Sequence, residues 1–210
     1  MTAQKRSDRR RIVIKQGAEA ILYLDKHLGR KAVAKERIPK GYRDPVLDDI
    51  IRRERTVHEA RMMSLAKRAG VRTPILYDVD VLRFRILMQY IEGRNLREVF
   101  EERVPQGVPR AIGNMAGSLH EAGLIHGDLT TSNMIQSSGL VLIDFGLSRR
   151  SAEIEDMGAD LLLMEEALVG LHPHRSDILE EIREGYAARF SQAKEVFKKV
   201  SEIKKRRRYV

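Results

Sequence analysis

The segment His126-Gly127-Asp128-Leu129-Thr130-Thr131-Ser132-Asn133 sets an aspartate and an asparagine in an Asp-x4-Asn spacing. Further along, Leu142-Ile143-Asp144-Phe145-Gly146 ends an apolar run on a second aspartate. In this order the two motifs are the arrangement that phosphoryl transfer requires. A nucleotide's phosphates arrive with Mg2+, a hard ion that takes oxygen ligands. Asp144 is therefore the candidate metal ligand, Asn133 offers a carbonyl oxygen to a second metal, and Asp128 is the candidate catalytic base for an incoming hydroxyl or water. A strand-flanked aspartate is often only structural and Asp-Phe-Gly alone recurs by chance. The specificity lies in the pair.

His126 invites a second reading as a general base, because a neutral imidazole can serve near pH 7. The reading adopted is the plainer one, a histidine that packs and braces the loop. None of the six histidines forms an HExxH pair, and His172-Pro173-His174 lacks a nearby third ligand, so no zinc site is expected.

Such a site has to be positioned, and the upstream sequence offers the parts. Ala32-Val33-Ala34-Lys35 supplies a strand lysine for nucleotide phosphates. Glu59, in Val57-His58-Glu59-Ala60-Arg61, is placed on the following helix to pair with it, with Glu54 as competitor and a solvated helix face as the bland alternative. Met88-Gln89-Tyr90-Ile91-Glu92-Gly93 reads as a hinge where Met88 and Tyr90 meet the adenine edge. The loop over the phosphates is the weak part: Gln16-Gly17-Ala18-Glu19-Ala20 carries one glycine, Gly17, where G-x-G-x-x-G is usual.

Periodicity gives the elements. Strands are expected over 12–15, 20–24 and 31–35, then a long amphipathic helix over 46–69 with Leu47, Ile50, Ile51, Val57, Met62 and Leu65 at helical spacing, then strands over 75–79 and 85–90. Gly70 stands where a helix end wants a left-handed residue. From Glu92-Gly93 onward the pattern turns helical: 96–103, 109–122, 156–169, 176–190 and a last helix from about Gln192. Only the β-like runs 134–136 and 140–143 interrupt it. The expectation is α+β, a minimal bilobal protein-kinase-like fold with a β-rich N-lobe over 1–90, a mostly helical C-lobe over 91–200, no long activation segment, and a basic tail over 201–210.

Composition excludes several classes. With 210 residues and 42% hydrophobic content the chain can bury a core. It has no cysteine, so a disulfide scaffold and a thiol nucleophile are excluded. No apolar run reaches membrane-spanning length, which reads as a soluble, cytoplasmic protein with no membrane partner. The net charge of +9 concentrates in Arg9–Arg11 and in the run Lys204–Arg208. A terminal basic run is either a solvated tail or a contact for RNA or protein.

Taken with Lys35, the stretches Pro39-Lys40-Gly41-Tyr42-Arg43, Arg53–Ala60 (RERTVHEA), His126–Asn133 and Ile143–Leu147, and the basic C-terminus, resemble the small atypical kinase/ATPase subunit of the KEOPS complex, the PRPK family. The resemblance covers nearly the whole chain. It implies a cytosolic ATP- and Mg2+-dependent enzyme that supports threonylcarbamoyl-adenosine modification of tRNA. It further implies serine/threonine autophosphorylation in isolation, and chiefly ATPase behaviour beside the transferase subunit. A small subunit on the N-lobe and tRNA at the basic tail are the other implied partners. By position, Lys35 and Glu59 hold the nucleotide, Asp128 is the base, and Asn133 and Asp144 bind metal.

Departures from typical protein kinases narrow the activity. Gly127 stands in place of the arginine of H-R-D, and neither a long loop nor A-P-E comes after Gly146. That favours ATP hydrolysis, self-modification or a docked partner over broad protein-kinase activity. Asp160 reads equally as a buried brace for the catalytic loop or as a surface acid. Competing readings are an aminoglycoside- or choline-kinase-type phosphotransferase, a RIO-type kinase, whose usual N-terminal domain finds no room before Gly17, and a non-catalytic tRNA-binding scaffold.

Overall fold

The computed structural model describes residues 12–171 and 176–207. Arg9–Arg11, His172-Pro173-His174 and Arg208 lie outside the described residues. The described chain divides into two compact units, the first running to Val57 and resuming over Ile75–Tyr90, the second made of His58–Pro74 and the residues from Ile91 on. The expected α+β organisation is what these units show.

The first unit is an antiparallel sheet of strands β1 (Ile12–Gln16), β2 (Ala20–His27), β3 (Arg30–Arg37), β4 (Leu76–Asp80) and β5 (Arg85–Gln89), in the order β1-β2-β3-β5-β4. Alternation along β3 puts Ala32 and Ala34 on one face, where they are buried with Leu87 under Tyr23 and Tyr77. Lys35 falls on the opposite face, in register with Leu22 of β2 and Ile86 of β5.

Helix α1 (Pro45–Arg68) begins in the first unit and ends in the second. Asp44 caps it, accepting the N–H groups of Val46 at 3.0 Å and Leu47 at 3.1 Å, and Pro45 supplies the preset φ of a first helical turn. It ends at Gly70 (φ 83°), where Val71 N–H reaches back to Ala66 C=O at 3.0 Å. The expected apolar face holds only in part. Met62 is buried, Ile51 and Leu65 are half-buried, but Leu47, Ile50 and Val57 are about half exposed. The helix buries Asp48, Thr56 and Glu59 instead. Asp48 earns its place by collecting Arg52 at 2.7 Å and Arg43 at 3.2 Å.

The second unit contains β6 (Arg94–Asn95), α2 (Leu96–Glu102), α3 (Val108–Glu121), β7 (Leu124–Ile125), β8 (Met134–Gln136), β9 (Leu140–Leu142), β10 (Arg149–Arg150), α4 (Ile154–Leu171), α5 (Ser176–Ala187) and α6 (Ala193–Arg207). Strands β6, β8 and β9 form one small sheet, β7 and β10 another. The two-residue strands β6, β7 and β10 are too short for any periodicity to announce them. Helices α3 and α5 meet backbone to backbone: a Cβ on Gly113 would lie 1.9 Å from Ile182 C=O, and one on Gly185 2.1 Å from Arg110 C=O. Phe100, Ile112, Leu119, Leu161 and Tyr186 of this unit are nearly inaccessible to solvent. Ser201–Arg207 continue α6 rather than trailing from it. Among the described residues no helix is long and apolar enough to cross a membrane.

Candidate functional site

Strand β7 delivers the chain into His126, and α4 fixes the loop that begins there. Asp160 is 3% exposed and accepts the backbone N–H of His126 at 2.8 Å and of Gly127 at 2.9 Å. Its carboxylate also receives His120 Nε2 at 3.2 Å, while His120 Nδ1 meets the Tyr186 hydroxyl at 2.7 Å. Of the two readings of Asp160, the structure selects the buried brace. Burial alone would raise its pKa, yet the hydrogen bond and charge of His120 and the His126 N–H hold it below the ordinary carboxylate value.

His126 is occupied on both ring nitrogens. Nδ1 accepts the Asp128 N–H at 3.3 Å, and Nε2 lies 3.3 Å from Ile143 C=O. The ring packs edge-on against Phe145, centroids 4.9 Å apart. Burial pushes its pKa down, against the pull of Asp160 and the Ile143 carbonyl. A neutral ring with no free nitrogen braces the loop and has nothing left for base chemistry.

A single 3-10 turn over Thr131–Asn133 brings Asn133 back onto Asp128. Its amide Nδ2 donates to Asp128 Oδ2 at 2.7 Å and to Asp128 C=O at 2.9 Å. That commits the amide nitrogen and leaves Oδ1 as the acceptor suited to a cation. Ile143 N–H donates to Asn133 C=O at 2.9 Å, so β9 ends directly beside this turn. The next residue, Asp144, is exposed and left-handed (φ 61°), a conformation that aspartate tolerates better than most residues. Such local strain is commonly retained at working positions. The donor set consists of hard oxygens, one carboxylate and one amide, which suits a Mg2+ that keeps waters and phosphate oxygens as its other ligands. Among the described residues no cluster of three or more His, Cys, Asp or Glu could hold a metal by itself.

The remaining candidates are distributed over both units. Lys35 is 8% exposed on β3 of the first unit, and Glu59 is 1% exposed on the second unit's part of α1, whereas Glu54 is exposed. Met88 lies on β5 in register with Val33, and Tyr90 comes just after that strand, with Lys31 Nζ 5.6 Å from its ring centroid. Gly17 sits in the turn between β1 and β2, where its N–H donates to Ala20 C=O at 3.0 Å. The turn that lacks glycines is tied down otherwise: Lys40 donates to Ala18 C=O, Arg55 pairs with Glu19, and Ile38 N–H reaches Glu19 C=O at 3.3 Å.

Sequence reasoning missed His120, Tyr186 and the ties of Lys40 and Arg55. The available signal was a polar residue on an otherwise apolar helix face, as His120 is beside Ile112, Ala116 and Leu119. The basic run near the C-terminus, read from the sequence as a solvated tail or a contact for RNA or protein, has three of its cations paired with acids. Lys204 pairs at 2.6 Å with Glu165, a 1% exposed carboxylate shared with Arg183 at 2.8 Å. Arg206 pairs with Glu155, and Arg207 with Glu166 at 2.8 Å. The acids come from α4, roughly forty to fifty positions away, out of reach of any local reading.

Comparison with known proteins gives the family. The RIO domain family model matches residues 26–161. A probable bifunctional tRNA threonylcarbamoyladenosine biosynthesis protein of Methanosarcina mazei is 40% identical over 199 residues, 94% of this chain and 35% of that protein. A counterpart from Methanothermobacter thermautotrophicus is 42% identical, covering 94% and 36%. The chain thus spans about a third of the length of these relatives. The EKC/KEOPS complex subunit bud32 of Dictyostelium discoideum is 36% identical over 208 residues, covering 94% of this chain and 82% of that one. In fold, the crystal structure of a Rio2 kinase–ADP/Mg2+–phosphoaspartate complex from Chaetomium thermophilum superposes with a TM-score of 0.64 at 16% identity, over 93% of this chain and 70% of that one. The chain belongs to the RIO domain family, in the group of the KEOPS complex subunit bud32.

Proposed function

We propose that this chain is an ATP- and Mg2+-dependent phosphotransferase and ATPase that supports threonylcarbamoyladenosine modification of tRNA, with serine/threonine (auto)kinase activity. The observation that carries the reading is the Asn133–Asp128 bond of 2.7 Å inside a loop anchored on buried Asp160. It presets a carboxylate to take the proton of an attacking hydroxyl or water as the γ-phosphate passes to it and ADP leaves. Asp144 and the Asn133 amide oxygen hold Mg2+, which when bound neutralises charge on the phosphate oxygens. In the first unit Lys35 is assigned to the phosphates, the Gly17 turn to covering the nucleotide, and Met88 and Tyr90 to its adenine; Glu59 is retained as a nucleotide-site residue.

The relatives and the surface together suggest the partners. The Methanosarcina relative is named bifunctional and this chain matches 35% of it, which supports a second activity working beside this one. We assign that activity to the tRNA-modifying transferase subunit. A small KEOPS subunit fits the apolar stripe Val46, Leu47, Ile50 and Val57 that α1 leaves exposed in the first unit. The protein is assigned to the cytoplasm.

Asp144→Asn removes the anionic ligand without adding bulk. Turnover of ATP by the full chain, with and without the transferase, is expected to fall on the order of 10²-fold or more, at least ~2.7 kcal/mol of transition-state stabilisation, with the melting temperature retained. Undiminished turnover in the variant would overturn the assignment.

A further inference from the structure

The loop that carries Asp144 is closed at both ends and pinned in the middle. At its start Ile143 N–H is fixed to Asn133 C=O at 2.9 Å. At its end Arg149 and Arg150 of β10 pair with Ile125 and Leu124 of β7, the strand that leads into the catalytic loop. Between them stands Ser148, 6% exposed, with each of its polar groups committed to a different place. Its N–H donates to Phe145 C=O at 3.1 Å, its Oγ to His126 C=O at 3.0 Å, and its C=O accepts His58 Nε2 at 2.6 Å. His58 is an exposed residue of α1, next to Glu59.

Gly127 completes the arrangement. Its φ is 80°, and a Cβ there would lie 2.4 Å from Leu147 C=O, so at this point the backbones of the catalytic loop and the Asp144 loop approach too closely for a side chain. An arginine at this position, as in H-R-D, would have to displace the Asp144 loop. A kinase with a switchable activation segment sets this loop by pairing that arginine with a phosphate; in this chain the hydrogen bonds of Ser148 and His58 stand in that place.

We infer that Ser148 and His58 are positioning residues that hold the Asp144 loop in one permanent setting against the catalytic loop. His58 acts through the Ser148 carbonyl and touches no reacting atom. The inference rests on the proposed activity for its kinetic consequence, but not for its structural one.

The test uses the full chain with His58→Ala, His58→Gln, Ser148→Ala and Ser148→Thr. Without nucleotide, hydrogen–deuterium exchange of the peptide spanning 143–149 is expected to rise in His58→Ala and Ser148→Ala while the α3 and α5 peptides stay protected. In ATP turnover, His58→Ala is expected to raise the Mg2+ concentration for half-maximal rate by about threefold to tenfold, below the ~10–100-fold typical of groups that bond a metal ligand directly. His58→Gln, whose amide still donates to a carbonyl, and Ser148→Thr, which keeps the hydroxyl, should recover most of both effects. Exchange unchanged in both alanine variants would overturn the inference, as would a rise spread evenly over the molecule or a glutamine variant no better than alanine. If the unmodified chain hydrolyses no ATP, the proposed activity fails on its own, and the exchange measurement still decides this one.

Discussion

Helix α4 carries carboxylates to two destinations, and they are not equivalent. Asp160 goes inward, 3% exposed, and meets N–H groups of fixed backbone together with a buried histidine. Glu155 and Glu166 go outward, about half exposed, and meet the flexible ends of Arg206 and Arg207 on α6. Glu165 stands between these cases, its own carboxylate buried but its partners Lys204 and Arg183 reaching it from solvent. A buried donor that loses its acceptor cannot turn to water, so the inward contacts specify a geometry. Exposed pairs are largely interchangeable with solvent and contribute ~0–1 kcal/mol each. One helix therefore sets the catalytic loop rigidly and holds the basic C-terminal turn loosely.

The largest effect should come from the inward side. Asp160→Ala leaves the His126 and Gly127 N–H groups and His120 without their acceptor, and is expected to cost on the order of 3–5 kcal/mol in chemical denaturation. Turnover should fall as well, because Asp128 depends on that loop. Asp160→Asn, which retains one acceptor oxygen, should cost less. A loss no larger than that of Glu166→Ala would erase the contrast between the two destinations.

Acid should separate them next. The folded pKa of His126 is lowered, first by burial, so its contribution to stability is fully present above the ordinary imidazole value of about 6.5. It is lost as the pH falls from there through the lower folded value. Asp160 is also lowered, so its share persists above the ordinary carboxylate value of about 3.9 and is lost only below it. Acidification should therefore weaken the loop in two stages. The stability difference between the natural chain and His126→Asn should shrink between pH 7.5 and 5, and Asp160→Asn should leave that first stage intact. A difference that stays constant over this range would show that His126 is not held neutral by burial.

Legibility in the sequence divides along the same line. Asp128, Asn133 and Asp144 could be proposed from the sequence because the chemistry assigned to them demands fixed spacing within a single stretch of chain. Lys35 and Glu59 could be proposed as element positions, and the structure finds Lys35 on a strand and Glu59, unlike Glu54, buried on the helix. The network behind the loop was not legible, because His120, Asp160 and Tyr186 come from three helices and only tertiary packing unites them. Helix α1 misled for a related reason. Its periodicity marked Leu47, Ile50 and Val57 as a core face, while the arginines of its neighbourhood drew Asp48 inward instead. Charge was counted correctly in the C-terminal run and its partners were not, since an excess of cations reads the same whether or not a distant helix supplies acids.

The smallest predicted effect resolves that run residue by residue. Lys204 contributes to a carboxylate that is 1% exposed, whereas among the described residues Lys205 has no ion pair and faces solvent. If a polyanion such as tRNA engages this turn, it meets Lys205 at no internal cost, but must compete with Glu165 for Lys204. Lys205→Ala should therefore reduce the dependence of log affinity on log salt by roughly 0.7–0.9, one phosphate contact, and leave the melting temperature where it was. Lys204→Ala should do the reverse, lowering stability by about 1 kcal/mol with little change in the salt slope, since Arg183 alone is left on Glu165. Arg206→Ala and Arg207→Ala, each losing an exposed pair, should show a fraction of either effect. The measurements are tRNA affinity at several salt concentrations and thermal melting, on the same preparations. A slope that falls with Lys204→Ala while melting holds would mean that the ion pair with Glu165 gives way to the polyanion, and that α6 serves its partner before it serves α4.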